Sequence, residues 1–225
     1  MKMTKEKRIE ECQNLIAHFS KAIGNIKVSD GFSDSVEAIL KCVNGEIAGI
    51  APDKWTHIHV GKIITTGMGK AGIAMRKFSS LLCSFGIPSV YIHPGEASHG
   101  DLGLITSNDI LFVASTSGKT REVLEIIQLA RNINVKKVIG ITSHIDSPVR
   151  KVADIVIDMG AAKECGHLNM APTTSILVTL AITDCIALTC AKEKGLTAEE
   201  YGKYHHSGYL GQLARKTSSS SEAEI

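Results

Sequence analysis

The chain has 225 residues, 44% hydrophobic and 21% charged, which is enough apolar surface for one domain with a substantial core. A formal net charge of +2 provides no basic field for nucleic acid or a membrane surface. The N-terminus, MKMTKEKRIEECQ, lacks a signal core, no apolar run approaches the ~20 residues of a spanning helix, and no two cysteines form C-x-x-C; the expectation is a cytoplasmic protein with reduced thiols.

Residues 4–23 read as a helix, because Ile9, Cys12, Ile16, Phe19 and Ile23 recur at steps of three and four. A second helix is expected after Ser33 as its cap, with Val36, Ile39, Leu40 and Val43 on one face and Asn44-Gly45 at its end. Residues 46–61 follow no assignable pattern. Strand-like runs then appear at 62–67, 89–93, 109–115, 136–142 and 154–159. Helix-like segments lie at 70–85, 119–133 and 147–152, and a long one covers 171–194. Continuous Ile/Val runs alternating with helices predict the α/β class. The expected architecture is a three-layer α/β/α sandwich around a five-stranded parallel sheet, flavodoxin-like or Rossmann-like. Right-handed crossovers would bring every strand's C-terminal end to one edge, where such sheets bind ligands. The expected organisation is an N-terminal helix (1–30), the α/β domain (31–215) and a polar, disordered tail, KTSSSSEAEI (216–225).

Three loops at that edge carry chemistry. GMGKAG (67–72) follows the first strand and matches G-x-G-x-x-G, but the next strand ends Tyr-Ile-His93-Pro-Gly, without the acidic residue that a dinucleotide's ribose needs. Lys70 instead adds a cation to a loop of backbone N–H groups. HPGEASHGDLG (93–103) holds His93 and His99 among glycines and carboxylates, a combination more suited to a working loop than to a core. The third, STSGKT (115–120), ends like a nucleotide-binding P-loop, yet the first glycine of that motif would fall at Val113, inside the strand. What remains is a strand, a tight turn and a helix N-terminus crowded by Ser115, Ser117 and Thr120. That suits one phosphate; simple helix capping is the plainer alternative. Glu122 lies one turn into the helix, placed either as a base or as an ordinary first-turn carboxylate. His57 with His59 and Cys165 with His167 are pairs, and neither supplies the three convergent ligands of a metal site. The inventory suits proton transfer on a small phosphorylated substrate.

The segments TTGMGKAG, HPGEASHGDLG, STSGKTREV, ECGHLNMAPTTS and HHSGYLG occur in the order found in sugar isomerase (SIS) domains. Over residues 30–215 the chain resembles D-arabinose 5-phosphate isomerases most. The resemblance implies interconversion of D-ribulose 5-phosphate and D-arabinose 5-phosphate through an enediol, for Kdo synthesis in a lipopolysaccharide or capsule pathway. It also implies a homotetramer that needs no cofactor. Many relatives carry two CBS domains that do not occur in this sequence, so control by CMP-Kdo as an end-product inhibitor at the active site is one expectation. An isomerase of a hexulose or heptulose phosphate is one alternative. A SIS domain that only senses sugar phosphates is another, although the first sixty residues show no helix-turn-helix and no basic patch.

Carried over residue by residue, the resemblance assigns catalytic roles to Lys70, His99, Glu122, Glu164 and His205. Substrate contacts fall to Gly67, Gly69, Ser115, Thr116, Ser117, Thr120, His93 and Thr173. Lys70 would stabilise the enediolate oxygen, and His99 or Glu122 would be the carbon base. His205 would assist oxygen protonation or ring opening, acting on a neighbouring subunit's site. Three departures bear on specificity: Ala71 replaces the usual serine of G-K-S, Lys119 replaces an acidic residue, and His206-Ser207 interrupts the family's H-P-G-G.

Overall fold

The computed structural model describes residues 2–45, 60–209 and 211–213. The unassigned stretch up to 59, with His57 and His59, and the tail from 216 lie outside the described residues. Two helices, α1 (Lys5–Gly24) and α2 (Asp30–Val43), precede an alternating series. It runs β1 (Ile63–Gly67), α3 (Gly69–Ser84), β2 (Ser89–Tyr91), α4 (Pro94–Ala97), a 3-10 turn (Asp101–Leu104), β3 (Ile110–Ala114) and α5 (Arg121–Asn132). It continues with β4 (Lys137–Thr142), α6 (Pro148–Val152), β5 (Ile155–Asp158), α7 (Thr174–Glu193) and α8 (Ala198–Tyr204). The cap expected at Ser33 is displaced: α2 begins at Asp30 with Ser29 at the N-cap, which brings Phe32 into the core with Val36 and Ile39.

All strand pairs are parallel, in the order β2-β1-β3-β4-β5. Side-chain alternation divides the sheet between two cores. Ile63, Ile110, Phe112, Ile139 and Ile141 face α2, α3 and α7, where Phe78 meets Phe112 edge to face at 5.1 Å. Ile64, Leu111, Val113 and Val138 face the other layer, which includes Val123, Ile126 and Ile127 of α5 and Val149 of α6. Because the sheet is covered on both faces, its central strands β1 and β3 are buried throughout and, Thr65 and Thr66 apart, show no polar alternation. The exceptions bond internally: the hydroxyls of Thr65 and Thr66 donate to the carbonyls of Met75 and Ile92 at 3.0 and 2.8 Å.

Thr174–Glu193 is long and apolar enough by composition to cross a membrane, although threonines interrupt its apolar letters. In the fold it is the central helix of the first core, burying Val178, Ile182, Ile186 and Cys190. Its buried Thr179 and Thr183 donate to the carbonyls of Ser175 and Thr179 one turn back, so neither hydroxyl is left unpaired.

The chain order reverses between β1 and β3: α3 leaves β1 on one face and α5 leaves β3 on the other. This is the topological switch point, and the turns after β1 and β3 open side by side there.

Candidate active site

A cavity of about 300 Å³ lies at that point. Lys70 and Ala71 line it from α3, and Ser115, Thr116, Ser117 and Thr120 from the turn after β3. His144 comes from the turn after β4, and Glu164, Pro172, Ser175 and Ile176 from the β5–α7 connection and the first turn of α7. A larger hollow of about 650 Å³ between α2 and α7 is walled by residues that include Phe32, Val36, Ile186, Glu37 and Glu193. Among the described residues its lining carries two carboxylates and no cation, so it does not suit a phosphate.

Three helix N-termini point at the smaller cavity, and they are treated differently. Met68 caps α3 and Thr120 caps α5, and neither side chain makes a capping hydrogen bond. Their first-turn N–H groups and positive dipole ends are therefore available to an anion. The third terminus, of α7, is taken by Glu164. Its carboxylate accepts from the backbone N–H of Thr173 and Thr174 at 2.8 Å and of Ser175 at 3.3 Å, and from the hydroxyls of Thr173 and Ser175. Burial alone would raise the Glu164 pKa. The Ser175 hydroxyl and the three N–H groups outweigh it and hold the carboxyl below its ordinary value.

The turn after β3 is braced from within. Ser115 Oγ accepts from Gly118 N at 3.1 Å and lies 2.9 Å from Thr120 Oγ1, and Ser117 Oγ accepts from Lys119 N at 3.2 Å. Gly118 has φ +63°, and a Cβ there would overlap the Ser147 side chain. The turn after β1 is braced by Tyr91, whose hydroxyl donates to the Gly67 carbonyl at 2.9 Å while Arg76 lies over its ring at 4.8 Å. A Cβ on Gly72 would strike that same Gly67 carbonyl. The last glycine of GMGKAG thus lets α3 pack against the end of β1, a structural reason for a motif that copies a dinucleotide fingerprint.

The expected site residues separate into groups. Lys70, Ser115, Thr116, Ser117, Thr120 and Glu164 meet at the cavity. Gly67 is buried at the end of β1, Gly69 opens α3, and Thr173 sits at the α7 N-cap bonded to Glu164. Glu122 lies in the first turn of α5, outside the cavity lining. His93 caps α4, its Nδ1 accepting from Gly95 N at 3.2 Å, and His99 is exposed beyond α4; both lie outside that lining. His205 is remote. Its ring stacks on Tyr201 at 4.0 Å, Tyr201 faces Phe85, and Tyr204 abuts Gly86, all beside the end of α3 that leads into the start of β2. That is the opposite edge of the sheet. His144 and Ser175 are lining residues that sequence reasoning missed. The signal for His144 was a fourth polar turn, TSHIDS, after a fourth strand; Ser175 stood within APTTS, read for its threonine.

A doubly wound sheet whose switch point carries open helix N-termini, hydroxyls and a lysine defines an anion-binding α/β domain. Residues 58–189 match the SIS domain, and the chain belongs to that family. It is 38% identical over 152 residues to arabinose 5-phosphate isomerase KdsD of Pseudomonas aeruginosa, a match covering 68% of this chain and 46% of that protein. The chain thus spans about half the length of the curated relatives it matches. A putative phosphosugar isomerase involved in capsule formation from Bacteroides fragilis superposes with a TM-score of 0.81 at 41% identity, over 90% of this chain and 99% of that one. A protein of Escherichia coli CFT073 in complex with arabinose 5-phosphate superposes with a TM-score of 0.79 at 26% identity, over 90% and 100%.

Proposed function

We propose that the protein is an aldose–ketose isomerase that interconverts D-ribulose 5-phosphate and D-arabinose 5-phosphate. The observation that carries this is the pair of uncapped N-termini, α3 and α5, opening with Lys70 into one small polar cavity. The phosphate sits at the α5 terminus among Ser115, Thr116, Ser117 and Thr120, and the sugar chain extends towards Lys70. Phosphate contacts supply binding energy remote from the reacting carbons. Lys70 stabilises negative charge that develops on the enediolate oxygen, which favours the transition state over the bound sugar. The arabinose 5-phosphate bound by the E. coli neighbour and the names of the relatives support this substrate class.

The carbon base is His99 or Glu122, the imidazole arriving from its exposed loop or the carboxylate from α5. Glu164 is a poor base, because its carboxylate already accepts from α7 and its pKa is held low. It orients α7 and the β5–α7 connection that walls the cavity. His205 acts on a neighbouring subunit's site in a cytoplasmic homotetramer, and CMP-Kdo competes for the same cavity.

A panel of five-, six- and seven-carbon ketose phosphates tests the assignment. Turnover of ribulose 5-phosphate to an aldose is expected. Turnover of a longer ketose alone would make the protein an isomerase of another phosphosugar, and tight binding without turnover would make it a sensor. A thermal-shift titration with CMP-Kdo, expected to stabilise the chain, tests the inhibitor.

A further inference from the structure

We propose that His144 is a phosphate-binding residue that sets the affinity of the site for a monoester. The inference rests on the phosphosugar reading above and assigns a ligand contact to a side chain outside the family motifs found in the sequence. His144 lines the cavity from the turn after β4, a different wall from Lys70.

That turn is tied to the phosphate loop. Ser143 N and Thr142 Oγ1 both donate to the Thr116 carbonyl, at 2.9 and 3.3 Å. The backbone of His144 is fixed as well: Arg150 Nε donates to its carbonyl at 2.9 Å, and the Arg150 guanidinium lies 2.7 Å from the Asp158 carboxylate. Ser143 Oγ anchors the same turn to the Gly160 carbonyl at 2.6 Å. The imidazole, by contrast, is exposed and has no hydrogen-bond partner among the described residues. A donor on a rigid backbone, unpaired and at a cavity wall, is preorganised for a ligand.

Charge points the same way. A phosphate monoester carries nearly two negative charges at neutral pH. Against it stand Lys70 and roughly half a charge from each of the α3 and α5 termini. Glu164 more than cancels the terminus of α7, leaving the lining itself short of positive charge; Lys119, in the same loop, is exposed outside it. An imidazole N–H supplies a further donor to the anion whether the ring is neutral or protonated.

Titration calorimetry with the full chain tests this, using inorganic phosphate and ribulose 5-phosphate as probes, alongside steady-state kinetics. In His144→Ala, binding of both probes should weaken about tenfold and KM should rise in step, with kcat within about twofold. His144→Gln, which restores an N–H donor, should recover most of the affinity. The melting temperature should not move, because the side chain is exposed. If the parent binds phosphate and His144→Ala binds it equally well, the inference is overturned while the functional reading stands. A fall in kcat at unchanged affinity also overturns it. If the parent binds neither probe, the phosphosugar reading fails first.

Discussion

Gly118 shows how much of the site depends on single atoms. It turns the chain through φ +63° between the strand that delivers Ser115 and the helix that offers its N-terminus, with Ser147 and Thr142 packed against its missing side chain. For Gly118→Ala, the left-handed conformation and the overlap together should cost about 2–4 kcal/mol of stability, read by chemical denaturation. Sugar-phosphate affinity should fall further than stability alone explains, because the loop must shift. Glu164 is the converse case, a residue held by what it accepts. Its pKa is lowered by folding, so its contribution is fully present above the ordinary carboxyl value of 4.5 and is lost as pH falls through the lower folded value. Glu164→Gln should cost about 1 kcal/mol at neutral pH, the low end for a charged helix cap that is partly in contact with water. The difference between parent and variant should close on acidification below 4.5. A constant gap in thermal stability from neutral to acid pH would show that the charge contributes nothing.

At the scale of elements, the sheet has two edges with separate duties. The C-terminal edge carries the cavity; the N-terminal edge carries a clamp. Asp109, 1% exposed, accepts from Lys62 N at 2.9 Å, from Lys62 Nζ at 2.7 Å and from Thr106 N at 2.7 Å, joining the entries to β1 and β3. Asp109→Asn should cost about 2–3 kcal/mol by weakening charge-assisted bonds. Denaturation should report it as a lower midpoint at unchanged slope, with kcat of the folded fraction unaffected. The strands were legible in the sequence because a sheet covered on both faces needs continuous runs such as Ile110–Ala114, which few other elements produce. The short pieces were not: α4 and the 3-10 turn sit in a glycine-rich loop with no apolar period to read. The site was legible in part for a related reason. Ser115–Thr120 announce themselves by hydroxyls crowding one helix start, whereas His144 is a single imidazole whose meaning depends on β4 lying beside β3. Adjacency of that kind is a property of strand order, which no local pattern encodes.

For the whole molecule, the position of His205 is the sharpest constraint. It lies at the N-terminal edge with Tyr201 and Phe85, while the cavity opens at the C-terminal edge. The five residues of β1 separate those edges by about 15 Å at ~3.3 Å per residue, far beyond the reach of an imidazole. If His205 takes part in isomerisation it must therefore serve another copy's cavity, and each working site is built from two chains. Complementation between two inactive chains tests this. Lys70→Ala and His205→Ala should each lower kcat by on the order of 10²–10⁴ as pure oligomers. Co-expressed with different tags and purified through both, the hybrids should regain activity, because some sites combine Lys70 from one chain with His205 from the other. Random association of equal amounts would leave about a quarter of sites with both groups in a symmetric closed oligomer. Were both groups drawn from the same chain, every site in the hybrid would lack one of them. Doubly tagged hybrids as inactive as their parents would then confine each site to one chain, and full activity of pure His205→Ala would place His205 outside the reaction.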